Sequence, residues 1–130
     1  MLVSSFNLPY PPSFNTYWRN FRGHMVLSQK GREYKQAVAE YVSENNVPKF
    51  GDSKLKITMI LQPKDKRKID IDNRIKCVLD SLQEAGVFDD DFQVDHIEMI
   101  RGTQIKGGLL HVVIEEITPH HPEGESLEDS

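Results

Sequence analysis

Asp70, Asp72, Asn73, Lys76 and Asp80 fall within one short stretch, and Asp89, Asp90 and Asp91 follow it. Two carboxylates separated by one residue at a helix start can converge, because the chain is still changing direction there. Lys76 lies one turn beyond Asp72 on the same helix face. Clustered carboxylates repel one another unless a proton or a cation neutralises them. Mg²⁺ is the natural occupant, since it takes hard oxygen ligands and keeps several waters. Such a site can activate a water and stabilise a phosphate under attack, with Lys76 neutralising the charge that develops. Lys64, Lys66, Arg67 and Lys68 stand directly upstream. Phosphate-seeking charge beside a metal-seeking set suits hydrolysis of a phosphodiester in a polyanion.

Each of these residues also has a plainer reading. An Asp at a helix start is often a cap. Asp80 can pair with Lys76 or Arg74, or face solvent. Asp89–Asp91 can be an ordinary polar turn, and the basic loop a solvated one. The helix after Asp70 spans about 22 Å at ~1.5 Å per residue, so Asp91 meets Asp70 only if the chain folds back.

A second group gathers Tyr10, Phe14, Tyr17, Trp18 and Phe21, interleaved with Arg19, Arg22 and His24. The rings can stack on unpaired bases while Arg19 and Arg22 grip phosphates. Alternatively they pack as lids on the core or in a dimer contact. His24, His96 and His111 have neither HxH nor HExxH spacing, so no histidine metal site is expected. Cys77, the single cysteine, lies next to an apolar helix stripe and reads as core. Alone it forms no internal disulfide and no Cys-rich zinc site, and a reducing, cytoplasmic setting is the expectation.

The elements that must position these groups can be read from periodicity. Residues 2–8 read as a strand, and Pro9, Pro11 and Pro12 then exclude regular structure through about His24. Ser28 caps a helix to about Asn45, with Glu33, Tyr34, Ala37, Val38, Tyr41 and Val42 as its stripe and Gly31 weakening its start. Residues 54–62 alternate as a strand that Pro63 ends. A second helix starts near Asp70–Asp72, with an Asp as cap, and stops at Gly86. Its stripe is Ile71, Ile75, Val78, Leu79, Leu82 and Ala85. Residues 94–101 and 109–117 read as strands joined by GTQIKGG in a hairpin. The fold class is α+β: a small mixed sheet with two main helices, in the order β-α-β-α-β-β.

At 130 residues the chain is one domain, expected over 1–118, and large enough to bury a core without staples. With 38% apolar and 28% charged residues it reads as globular. No apolar run is long enough to span a membrane, and the N-terminus has no signal-peptide pattern. Net charge is −4 but polarised. Residues 1–50 carry six basic and three acidic groups; residues 51–76 carry eight and four. Residues 77–118 carry two basic and nine acidic groups. The segment 119–130 has four acidic residues and no Lys or Arg, and is expected to be a disordered tail. A polyanion is held by a local patch rather than by the total, so the basic front half leaves nucleic acid open as a partner.

The stretch DIDNRIKCVLDSLQEAGVFDDDFQV, residues 70–94, resembles the core motif of the RusA-type Holliday junction resolvases. Asp-x-Asp-Asn, Lys, Asp-x-Leu, Gly, the paired Asp and Gln-Val are all present. LPYPPSFNTYWR is similar to the family's Pro-Pro-Ser-x-Asn segment, SQKGREYK to its Ser-x-x-Gly-x-x-Tyr helix start, and KGG at 106–108 to its hairpin before the last strand. The resemblance covers residues 6 to about 117 and implies a homodimeric endonuclease. Such an enzyme cuts four-way DNA junctions by paired symmetric nicks and needs Mg²⁺ or Mn²⁺. It implies Asp70, Asp72 and Asp91 as metal carboxylates and Lys76 as the cation at the transition state. Asp90 and Asn73 become assisting positions. Lys64, Lys66, Arg67, Lys68, Arg19 and Arg22 become DNA contacts. A bacterial or phage-infected cell is the expected setting. The acidic tail departs from the pattern. A metal-dependent nuclease of other branched or single-stranded DNA, and a non-catalytic binding module, are the competing readings.

Overall fold

Strict alternation in LKITMILQ makes β4 (Leu55–Gln62) the strand on which the domain is built. Leu55, Ile57, Met59 and Leu61 are buried, and the residues between them are half-buried. In the computed structural model, which describes residues 1–118, this strand is internal to a four-stranded mixed sheet of order β1-β6-β4-β5. β1 (Val3–Leu8) runs antiparallel to β6 (Leu109–Glu116), and β6 antiparallel to β4. β5 (Val94–Arg101) lies parallel to β4 at the edge. Rows of apolar side chains cross the strands in register. Phe6, Val112 and Met59 form one row, and Leu8, Leu110 and Leu61 the next.

The α+β class is therefore observed, but the expected hairpin between residues 94–101 and 109–117 is not. β4 lies between those two strands. The reason is physical. β6 contributes Leu110, Val112 and Ile114, which match the apolar side of β4, whereas β5 carries Asp95, Glu98 and Arg101 and suits an edge. A parallel β4–β5 pair then needs a long crossover, and α3 (Ile75–Glu84) supplies it.

α2 (Gln29–Glu44) and α3 pack on the core. Ser28 is the N-cap of α2 as expected, its hydroxyl accepting from the Gly31 N–H at 2.9 Å. Tyr34, Val38 and Val42 form its buried side, while Glu33 is exposed. Gly31 does more than weaken the helix start. A Cβ there would stand 2.3 Å from the Tyr17 carbonyl oxygen, so glycine is the residue that admits the preceding segment. In α3 the buried residues are Cys77, Val78, Leu79, Ser81 and Leu82. Cys77 is core, and burial pushes its thiol up to about 11. Gly86 ends the helix at φ 83°, the left-handed position expected of it.

The segment after the prolines is more ordered than expected. α1 (Phe14–Tyr17) leads into a hairpin of β2 (Trp18–Phe21) and β3 (His24–Leu27). Arg22 and Gly23 both have positive φ, the two-residue turn that matches the twist of a hairpin. The signal was hidden because aromatic and basic residues dominate a strand only four residues long. At the other end, Glu116 accepts from the Leu2 N–H and from Ser53 Oγ, clasping the N-terminal strand. These donors hold its carboxyl below the usual range. The clasp is thus present at neutral pH and is lost as pH falls through that lowered value. The acidic tail, with His120 and His121, lies outside the described residues.

Candidate active site

The site is carried by the crossover between β4 and β5. Asp70 and Asp72 are both exposed. A 3₁₀ turn, Asp72–Arg74, precedes α3, and neither helical start has a side-chain cap hydrogen bond. The expectation of an Asp cap is therefore overturned: α3 begins at Ile75 with Arg74 as its N-cap residue. The reason lies in Arg74, whose guanidinium donates to the Pro11 and Asp70 carbonyls at 3.1 and 3.4 Å. This fastens the turn without using either carboxylate. Asn73 is half-buried in the same turn.

The chain does fold back along α3. A second 3₁₀ turn, Asp91–Gln93, sets the Asp91 N–H on Gln83 Oε1 at 2.9 Å. The Asp91 carboxylate meets Lys76 Nζ at 2.5 Å. The hydrogen bond from Lys76 holds the Asp91 carboxyl below its ordinary range, and the same bond raises the Lys76 ammonium. Both groups are consequently charged at neutral pH. Lys76 keeps more than half of its side chain exposed, 56%, so its positive charge remains available to a phosphate.

Asp90 has a structural role. It caps the Asp91–Gln93 turn by accepting from the Phe92 N–H, in a capping box with Gln93. Gln93 is the hub of this loop and is only 6% exposed. Its Oε1 accepts from the Asp89 and Asp90 N–H groups, and its Nε2 donates to the Gly51 and Ser53 carbonyls. Gln93 was missed as a site residue, although Asp-x-x-Gln ahead of a strand is a readable capping-box signature.

Asp80 belongs to the scaffold. It accepts from the buried Tyr17 hydroxyl at 2.6 Å and pairs with Lys35 at 3.3 Å. The expected partners Lys76 and Arg74 are thus replaced by groups from α1 and α2. The cause is burial of Tyr17, whose hydroxyl needs an acceptor where α1 meets α3. Tyr17 is fully buried and so cannot stack on a base; Trp18 packs edge-on against it at 5.0 Å. Phe14 and Phe21 remain on the surface. Arg19 and Arg22 each sit 5.2 Å from the centre of the Phe21 ring, making a cationic hairpin tip.

The basic loop lines a groove of about 630 Å³ with Lys66, Arg67, Lys68, Asp70, Arg101 and Gln104. Arg67 is tied to Asp65 at 2.9 Å, which leaves Lys66, Lys68 and Arg101 as the groove's cations with no carboxylate partner among the described residues. Arg101 also donates to the Ile69 carbonyl at 3.0 Å, next to Asp70. Sequence reading missed Arg101, because nothing local ties a strand-end arginine to a loop more than thirty residues away. Lys64 lies outside this groove, 5.8 Å over the Tyr10 ring.

Asp70, Asp72 and Asp91 are hard oxygen donors with no soft ligand among them, the chemistry that Mg²⁺ accepts. Among the described residues no three His, Cys, Asp or Glu side chains converge as a ready-made metal cage. The structure brings together Lys76 and Asp91, places Asp70 on the cationic groove, and leaves Asp72 one helical turn before Lys76.

Comparison with known proteins bears on this arrangement. The family model for Endodeoxyribonuclease RusA matches residues 9–115. The chain is 42% identical to the crossover junction endodeoxyribonuclease of Enterobacteria phage HK97, over 86% of this chain and 93% of that one. It is 34% identical to the crossover junction endodeoxyribonuclease RusA of Escherichia coli K12, over 90% and 98%. A similar protein of Enterobacteria phage 82 is 34% identical, over 85% and 92%. With a family match across residues 9–115 and relatives 34–42% identical over most of both chains, the chain belongs to the RusA endodeoxyribonuclease family.

Proposed function

We propose that this chain is a Mg²⁺-dependent endonuclease that resolves four-way DNA junctions by paired symmetric nicks, in DNA recombination and repair. One observation carries the reading. The Lys76–Asp91 pair stands one turn from Asp72, and Asp70 opens onto a cationic groove, in a chain of this family. Asp70, Asp72 and Asp91 would hold the metal, with Mn²⁺ able to substitute. Bound there, Mg²⁺ would supply charge neutralisation at the phosphate and activation of the attacking water. Lys76 faces the charge that develops on the phosphate, and Asp91 fixes where its ammonium sits. Asp90 and Asn73 assist by shaping the turns on which Asp91 and Asp72 stand. Lys64, Lys66, Arg67, Lys68, Arg19 and Arg22, joined by Arg101, contact the DNA backbone, which gives affinity and register rather than sequence choice.

No Ser-His-Asp or Cys-His set is needed for this chemistry, and Cys77 is buried away from it. A homodimer would present two equal sites to the two opposed strands of a junction. A cytoplasmic location suits the DNA substrate; among the described residues no helix is long and apolar enough to cross a membrane.

The test is cleavage of a synthetic four-way junction in Mg²⁺ and in EDTA, beside duplex, flap and single-stranded controls. Paired ligatable nicks in the junction, absent in EDTA, are the expected result. Preferential cutting of flaps or single strands would replace the substrate, and binding without cutting in any divalent metal would remove the enzyme. Lys76→Ala should lower the single-turnover rate by roughly 10- to 100-fold while junction affinity changes by less than about threefold. Equal losses in rate and affinity would make Lys76 a simple phosphate contact.

A further inference from the structure

Phe92 is 82% exposed, more than any other large apolar side chain among the described residues except Met1. It stands between Asp91 and Gln93, in the turn that presents the Asp91 carboxylate. Its backbone is rigidly fixed. The Phe92 N–H donates to Asp90 Oδ1 at 2.9 Å. On one side of it, Asp91 is held by Gln83; on the other, the Gln93 amide is bonded to Gly51 and Ser53. The fold thus fixes the backbone of Phe92 and leaves its ring in water, beside a carboxylate of the candidate site.

The ring is also not alone. Lys54 Nζ lies over its face, 5.5 Å from the centre, and the same ammonium is 3.9 Å from Asp95. An aromatic face with a cation beside it matches the two parts of a nucleotide. The ring can stack on a base, and the ammonium can meet the adjoining phosphate. Paired bases inside a duplex are already stacked and offer no free face. Bases at a branch point, where strands exchange partners, can be unstacked and captured by an apolar or aromatic side chain.

We propose that Phe92 stacks on a base at the branch point beside the scissile phosphate, and that Lys54 takes the neighbouring phosphate. This rests on the junction reading above and deepens it: Phe92 becomes a residue that selects branched over continuous DNA.

The experiment uses the full chain and a four-way junction carrying 2-aminopurine at the exchange point, with Ca²⁺ in place of Mg²⁺ for binding. Wild-type protein should change the probe's fluorescence on binding. Phe92→Ala should lose that change and cut the junction about tenfold more slowly, and Phe92→Trp should restore both. Thermal melting of the variants should match wild type, because the ring is in solvent. Lys54→Ala should weaken junction binding and flatten its salt dependence by about one counterion. A Phe92→Ala variant that perturbs the probe and cuts as wild type does would overturn the proposal. So would conversion of a dimer to a monomer with the probe response kept, since that makes the ring a subunit contact. If the wild-type chain cuts forks or single strands in place of junctions, the junction reading fails on its own. The same probe in those substrates then decides whether Phe92 stacks.

Discussion

Replacing Asp70 with Asn should reduce cleavage by more than about 100-fold while binding of a four-way junction is kept or tightened. The two changes have different origins. Asn keeps the size and shape of the side chain but is a far poorer ligand for a hard cation, so metal-assisted attack is lost. The substitution also removes a negative charge from a groove whose other charges are Lys66, Lys68, Arg101 and the Arg67–Asp65 pair, and so lowers repulsion of the DNA backbone. Asp70 is exposed and caps no helix, so the fold should not notice the change. Single-turnover cleavage in Mg²⁺ and gel-shift titration in Ca²⁺ measure the two effects separately. Loss of binding and cleavage together, with a lowered melting temperature, would assign Asp70 to the scaffold.

Gln93→Ala should do the reverse: a large loss of stability that brings activity down with it. The Gln93 amide serves four backbone groups at once, two N–H groups of the acidic turn and two carbonyls of the loop before β4. Alanine leaves the Asp90 N–H and the Ser53 carbonyl without this partner, while the Asp89 N–H and the Gly51 carbonyl keep the bond they make to each other at 3.0 Å. A cost on the order of 2 kcal/mol follows, from two backbone groups that lose their hydrogen bond and two that keep only the bond to each other. Chemical denaturation measures the loss directly. Once the turn relaxes, Asp91 no longer stands against Lys76, so cleavage should fall even in the fraction that remains folded. A variant with normal stability, or one that is unstable yet fully active per folded molecule, would contradict this role.

The legible parts of this protein were those with local signals. The alternation of β4 and the caps at Ser28 and Gly86 need only neighbours a few residues away, and each stands where the sequence puts it. The Lys76–Asp91 contact could be suspected from residue types, but its closure depends on a turn that only the folded loop reveals. Other features lie in the pairing of distant segments. Strand order is one: β5 and β6 are consecutive yet separated by β4, because matching of apolar faces outweighs a convenient turn. Asp80 is another. A carboxylate one turn from Lys76 looks like its partner, but Tyr17 and Lys35 arrive from elsewhere in the chain to claim it. The hairpin at residues 18–27 escaped because its strands are too short to show a period.

The parallel pairing of β4 and β5 has a kinetic corollary. Asp70, Asp72, Lys76 and Asp91 all belong to the single crossover that links those two strands. They acquire fixed positions only when the edge strand docks, a non-local event that follows closure of a loop more than thirty residues long. Edge docking and site assembly are therefore coupled. Transient release of β5 would dismantle the site while the rest of the domain stays folded, so the amides of the acidic turn should exchange with solvent deuterium in step with those of β5.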